Sequence, residues 1–121
     1  MNDPALPPTR DLEEALAAAG GNAQLAEELF AMLRRDLEAR LEEIRARAAQ
    51  GDLSGLRDAA HRLHGATHYC GVPALRQAVH TLEEAATQGP VEDAMQQLEA
   101  AVRAVMDWEA DDRGEREAQA R

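Results

Sequence analysis

Lysine is absent from the 121 residues, and aromatic side chains nearly so, with one Phe, one Tyr and one Trp. A single cysteine, Cys70, excludes a disulfide framework and points to a reducing compartment. No apolar run approaches membrane-spanning length, and Met1-Asn2-Asp3-Pro4 lacks the basic and apolar regions of a signal peptide. The chain therefore reads as a cytoplasmic domain without membrane contact of its own, or as the cytoplasmic end of a membrane-anchored protein. Positive charge is also short. Thirteen arginines against 23 acidic residues leave a net charge of −10, from which no basic face for nucleic acid can be assembled. Neither β-branched alternation nor an internal repeat occurs. With hydrophobic residues at 45%, the core has to be Leu, Ala, Val and Met, a helix-forming set.

At this length the chain is one domain with one core. Residues 1–10, with Pro4, Pro7 and Pro8, read as linker. Asp11 and Glu14 form a capping box for a short helix that Gly20-Gly21 ends. Asn22 caps a long second helix with the apolar stripe Leu25, Leu29, Leu33, Leu37, Leu41, Ile44 and Ala48. Gly51 stops it and Asp52 caps a third, whose apolar face is Leu56, Ala60, Leu63, Thr67 and Cys70, closed by Gly71. Pro73 opens a fourth, carrying Leu75, Val79, Leu82 and Ala86. After Gly89-Pro90 a last helix aligns Val91, Met95, Leu98, Val102 and Val105. Residues 109–121 are polar, show no stripe and are expected to be disordered. The expectation is an all-α, antiparallel up-down-up-down four-helix bundle over residues 11–108, with the short first helix as a lid at one end.

The third helix carries the unusual residues. With Leu63 at the centre of its inner face and about 100° per residue, His61 falls about 160° away, His68 about 140°, Arg57 near 120° and His64 about 100°. Three histidines therefore lie on or beside the wet side, which removes the reading of a core histidine. Gly65 sits among them inside the helix, where it costs about 1 kcal/mol relative to alanine, so a packing or access reason is required. On the fourth helix, with Leu82 at the centre, Arg76, His80, Glu83 and Thr87 share one flank. If that flank abuts the histidines, Glu83 is placed to orient the ring of His61 through its second nitrogen.

The set His61, Leu63, His64, Gly65, then Gly71 and Leu75, resembles the signature of the histidine phosphotransfer (HPt) domain of bacterial multistep phosphorelays. With Tyr69, Cys70, Gly71, Val72 and Pro73 it looks most like the module that ends hybrid sensor kinases of the BarA/GacS type. The resemblance covers roughly residues 11–108. It implies that His61 accepts a phosphoryl group from a receiver-domain aspartate and passes it to a response regulator. His64 and Arg57, one turn away on either side, would bring hydrogen bonds or charge to the phosphate. Gly65 would let the receiver's backbone approach, and His68 would stand on the docking flank. Such a module is a carrier, not an enzyme with kinase activity. It has no cofactor of its own, Mg2+ arriving with the receiver, and it is expected to be a monomer.

Three other readings compete, of which a plain helical scaffold with no site explains the bundle and the acidic charge but leaves Gly65 and the histidine stripe to chance. His61, His64 and His68 on one stripe, with Glu83 nearby, could supply three or four ligands to zinc, although one helix cannot easily surround a tetrahedral ion and no second motif supports it. A kinase dimerisation helix would follow its histidine with an acidic residue, where this chain has Arg62.

Overall fold

The computed structural model describes residues 7–109. Among them it forms five helices and no strand: α1 (Leu12–Ala18), α2 (Ala23–Ala49), α3 (Leu53–Thr67), α4 (Pro73–Ala85) and α5 (Glu92–Asp107). The starts of the first three lie where side-chain acceptors stand. Asp11 accepts the Glu14 N–H at 3.0 Å, Asn22 that of Leu25 at 3.0 Å, and Asp52 that of Gly55 at 2.9 Å. Each satisfies an amide that the first helical turn leaves unpaired. α4 begins on Pro73, which has no N–H to satisfy.

Packing closes a ring, α2 on α3, α3 on α4, α4 on α5, and α5 back on α2. The short links make successive neighbours antiparallel, as the sequence leads one to expect. The core between them is aliphatic, and Leu37, Ile44, Leu56, Leu63, Leu75, Leu82 and Leu98 have no exposed surface. α1 covers one end, lying against α2 and against the α3–α4 turn, where the Asp11 N–H donates to the Gly71 carbonyl at 2.8 Å. Gly71 has φ +66°, and a Cβ there would stand 2.6 Å from both the Ala15 Cβ and the Asp11 carbonyl oxygen. Only glycine fits this junction.

The helices differ from the sequence reading in several places. In α2 the inner face runs through Ala26 and Phe30, while Leu25 is exposed and Leu29 half-buried. A strict four-residue step drifts by about 40° per step on a 3.6-residue helix, so a stripe centred on Leu37 leaves the core about 120° away at Leu25. α3 stops at Thr67, and Cys70 reaches the core from the turn that follows. α4 ends before Thr87, whose hydroxyl caps the Glu84 carbonyl. α5 buries Ala94, with Val91 preceding the helix and Met95 half-buried.

In the stretch read as linker, residues 7–10 pack on the bundle. The Arg10 guanidinium lies 4.0 Å over the Phe30 ring and pairs with Glu27, and the Pro8 carbonyl accepts the Ala74 N–H. Residues 1–6, and 110–121 of the expected tail, lie outside the described residues.

Candidate functional site

The side chains singled out by sequence converge where α3 packs on α4. His61 projects from the outer ridge of α3 with 76% of its side chain exposed. Its Nδ1 lies 2.7 Å from Oε2 of Glu83 on α4. The other oxygen, Oε1, lies 2.6 Å from Nδ1 of His64, one helical turn further along. One carboxylate therefore serves two imidazoles. An ionised carboxylate can only accept, so each contact places a proton on Nδ1. The lone pair of His61 is then on Nε2, in a ring that stands largely in solvent.

Glu83 and His64 are much less open, at 16% and 20% side-chain exposure. The ring of His64 is held between two others. Its centroid lies 5.1 Å from that of His68, stacked, and 5.5 Å from that of His80. His80 in turn contacts Glu84 at 3.2 Å. All four histidines of the chain thus gather on one patch. His68 sits at the C-terminal cap of α3 and is exposed. Arg57 is exposed a turn before His61, with no ion pair among the described residues. Arg76 faces elsewhere, binding the carboxylate of Glu14.

Gly65 has nothing within 4 Å of where a Cβ would stand. Among the described residues no packing calls for a glycine there. Around α3, His61 and Gly65 share the ridge, His64 and His68 lie on the α4 side, and Ala66 and Tyr69 on the α2 side. On that second side is a groove of about 230 Å³, lined by Leu29, Met32, Leu33, Ala66, Tyr69 and Cys70 with Asp36 and Arg40 at its edge. Met32 is 50% and Tyr69 60% exposed. Sequence reasoning named residues on the histidine side alone and did not locate this groove. The signal was Met32, an apolar residue about 140° from Leu37 around α2.

Burial pushes the Cys70 thiol up from its ordinary range, and its Sγ donates to the carbonyls of Leu29 and Ala66 at 3.5 and 3.6 Å. It is a packing residue. The three-histidine metal set is not assembled. Among the described residues the ligand atoms that converge belong to His61, His64 and Glu83, with His68 outside the group.

The chain is 44% identical over 94 residues to the sensor protein GacS of Pseudomonas syringae pv. syringae, a match spanning 76% of this chain and 10% of that protein. It is 48% identical over 73 residues to the sensor histidine kinase GacS of Pseudomonas protegens, covering 60% of this chain and 8% of the relative. The signal transduction histidine-protein kinase BarA of Shigella flexneri is 31% identical over 85 residues, 70% of this chain and 9% of its own. The chain thus matches about a tenth of the length of these relatives. The crystal structure of the HPt domain from a hybrid histidine kinase of Shewanella superposes with a TM-score of 0.72 at 31% identity, covering 81% of this chain and 87% of that one. These likenesses give no support to a zinc module as the chain's function. The family model of the Hpt domain matches residues 28–111, and the chain belongs to the Hpt domain family.

Proposed function

We propose that the chain carries a phosphoryl group on Nε2 of His61, accepted from the aspartate of one receiver domain and passed to the aspartate of another. The observation that supports this most is the pairing of an exposed imidazole with a half-buried carboxylate on its far nitrogen. In the step, the Nε2 lone pair attacks phosphorus, the acyl-phosphate P–O bond breaks, and the aspartate leaves with the electron pair. The ring keeps its Nδ1 proton and gains positive charge, which the Glu83 carboxylate beside it offsets. His61 needs no further activation, because a neutral imidazole already offers its lone pair near neutral pH. His64 and Arg57 flank the ring and supply hydrogen bonds or charge to the phosphoryl oxygens. In-line geometry and Mg2+ come from the receiver's acidic pocket, so this chain acts as a carrier rather than as a kinase.

The receiver docks across the α3 ridge. Gly65 lets its backbone come down beside His61, and the groove at Leu29, Met32 and Tyr69 takes an apolar side chain. The partners are the receiver domain of a hybrid sensor kinase and that of a response regulator, met by a monomer in the cytoplasm. Among the described residues, no helix is long and apolar enough to cross a membrane. The deciding experiment is transfer of labelled phosphate from a phosphorylated receiver to this chain and to its His61→Gln variant. Acid-labile, alkali-stable label on the first and none on the second supports the reading. Equal label on both moves the site to another histidine, and none on either with several receivers removes it.

A further inference from the structure

A carboxylate that faces two imidazole nitrogens is also a set of ligands. We propose that His61, His64 and Glu83 bind a transition-metal ion of the zinc class, and that the bound ion prevents His61 from accepting a phosphoryl group. The second half rests on the phosphotransfer reading; the first does not. This is a secondary occupant of the carrier face, with Glu83 in the set and His68 outside it.

One ring nitrogen of His61, one of His64 and a Glu83 oxygen all lie within 4.8 Å of one another, and Nδ1 is the nitrogen that each ring turns to Glu83. Tetrahedral zinc, with bonds of about 2.0–2.1 Å, holds its ligand atoms about 3.3 Å apart. With one Glu83 oxygen as ligand, its short contact to the nearer imidazole opens by roughly 0.7 Å and the other two distances close by at most about 1.5 Å, within side-chain reach. The ligands come from two packed helices, and two of the three side chains are held. Glu83 and His64 are mostly covered, and His64 is wedged between the rings of His68 and His80. The exposed edge at His61 provides entry and room for water in the fourth position. Two imidazoles and one carboxylate suit zinc, copper or nickel, whereas Mg2+ prefers a shell of oxygens. The magnesium that serves a receiver does not compete.

The block follows from the tautomer. A metal on Nδ1 uses the lone pair of that nitrogen, so the Nδ1 proton leaves and the neutral ring carries its proton on Nε2 instead. One proton is lost to solvent and one gained from it. Nε2 then has no lone pair for attack on phosphorus, although the ring is still uncovered.

Calorimetric titration of the full chain with zinc chloride, magnesium in excess, tests the site. One ion per chain is expected, with Kd in the micromolar range, and His64→Ala and Glu83→Ala should each weaken it tenfold or more. His68→Ala should change it less than twofold. Nitrogen-15 spectra should show the His61 proton moving from Nδ1 to Nε2 as zinc binds. Absence of stoichiometric binding overturns the proposal, as does binding that His68→Ala abolishes and Glu83→Ala does not touch. In transfer assays, the zinc-loaded chain should take up less than a tenth of the label taken up in chelator, while the receiver keeps its own. Transfer that fails in chelator as well counts against the phosphotransfer reading, and the titration still decides the site.

Discussion

Glu83 reaches from α4 to His61 on α3 at 2.7 Å and, with its other oxygen, to His64 at 2.6 Å. A charge-assisted hydrogen bond of this kind contributes about 1.5–3 kcal/mol, or about ten- to a hundredfold in rate where it orients the reacting ring. Glu83→Ala should therefore slow label uptake by His61 by that factor while leaving the helical circular dichroism unchanged. Glu83→Gln keeps an accepting oxygen for one ring and should fall between. Uptake at the wild-type rate in Glu83→Ala would remove the positioning role.

Gly65 separates stability from docking. A Cβ there meets nothing within 4 Å among the described residues, and alanine gains about 1 kcal/mol over glycine in a helix. Gly65→Ala should raise the melting temperature by about 4–8 °C. Gly65→Gln projects a long side chain from the ridge and should weaken receiver binding without lowering the melting point. A lowered melting temperature in Gly65→Ala would show an internal role for the glycine.

The groove between α2 and α3 makes a separate prediction. Met32→Asp places charge in its apolar mouth, and Tyr69→Ala removes one wall. Both side chains are exposed, so stability should change by less than about 0.5 kcal/mol. Receiver affinity, measured by titration calorimetry, should fall about tenfold or more for Met32→Asp, since a charge is left unpaired in a desolvated contact. Unaltered affinity in both variants would place the docking surface wholly on the histidine side.

Two left-handed glycines differ in what surrounds them. Gly51 has φ +71° and open space, and Gly71 has φ +66° with atoms of Ala15 and Asp11 where its Cβ would be. Gly51→Ala should cost about 1–2 kcal/mol for the backbone alone. Gly71→Ala adds a clash of about 1–3 kcal/mol and should loosen α1, seen as faster hydrogen exchange at the Ala15 amide. Equal losses in the two variants would mean that α1 yields freely.

Burial holds the Cys70 thiol protonated to higher pH than in the unfolded chain. Its contribution is thus complete below the ordinary thiol range near ~8.5 and shrinks as pH rises above it. Denaturant unfolding should show stability falling on the alkaline side, less steeply in Cys70→Ala. In native protein at neutral pH, iodoacetamide should leave Cys70 unmodified.

Much of this was legible in the residues themselves. Asp11, Asn22 and Asp52 announce helix starts through local chemistry, and α3's short stripe tolerates an angular error over four turns. The 27-residue α2 does not, which is why Leu25 was placed inside and Phe30 overlooked. His61 as an outward residue follows from periodicity around Leu63. That Glu83 meets His61 depends on how α4 is rotated against α3, and that it also holds His64 depends on rotamers, neither of which a sequence states. Arg10 was read as linker because its neighbours are prolines. Its burial is decided by Phe30, twenty positions away.

The openness of His61 bears finally on time. A phosphoryl group on its Nε2 would stand in water on the outer ridge of α3, with no lid over it among the described residues. Its lifetime would then be set by hydrolysis and by the next receiver to arrive. Such a carrier keeps no record of an old signal: once phosphorylated receivers disappear, its charge drains at a rate the fold does little to slow.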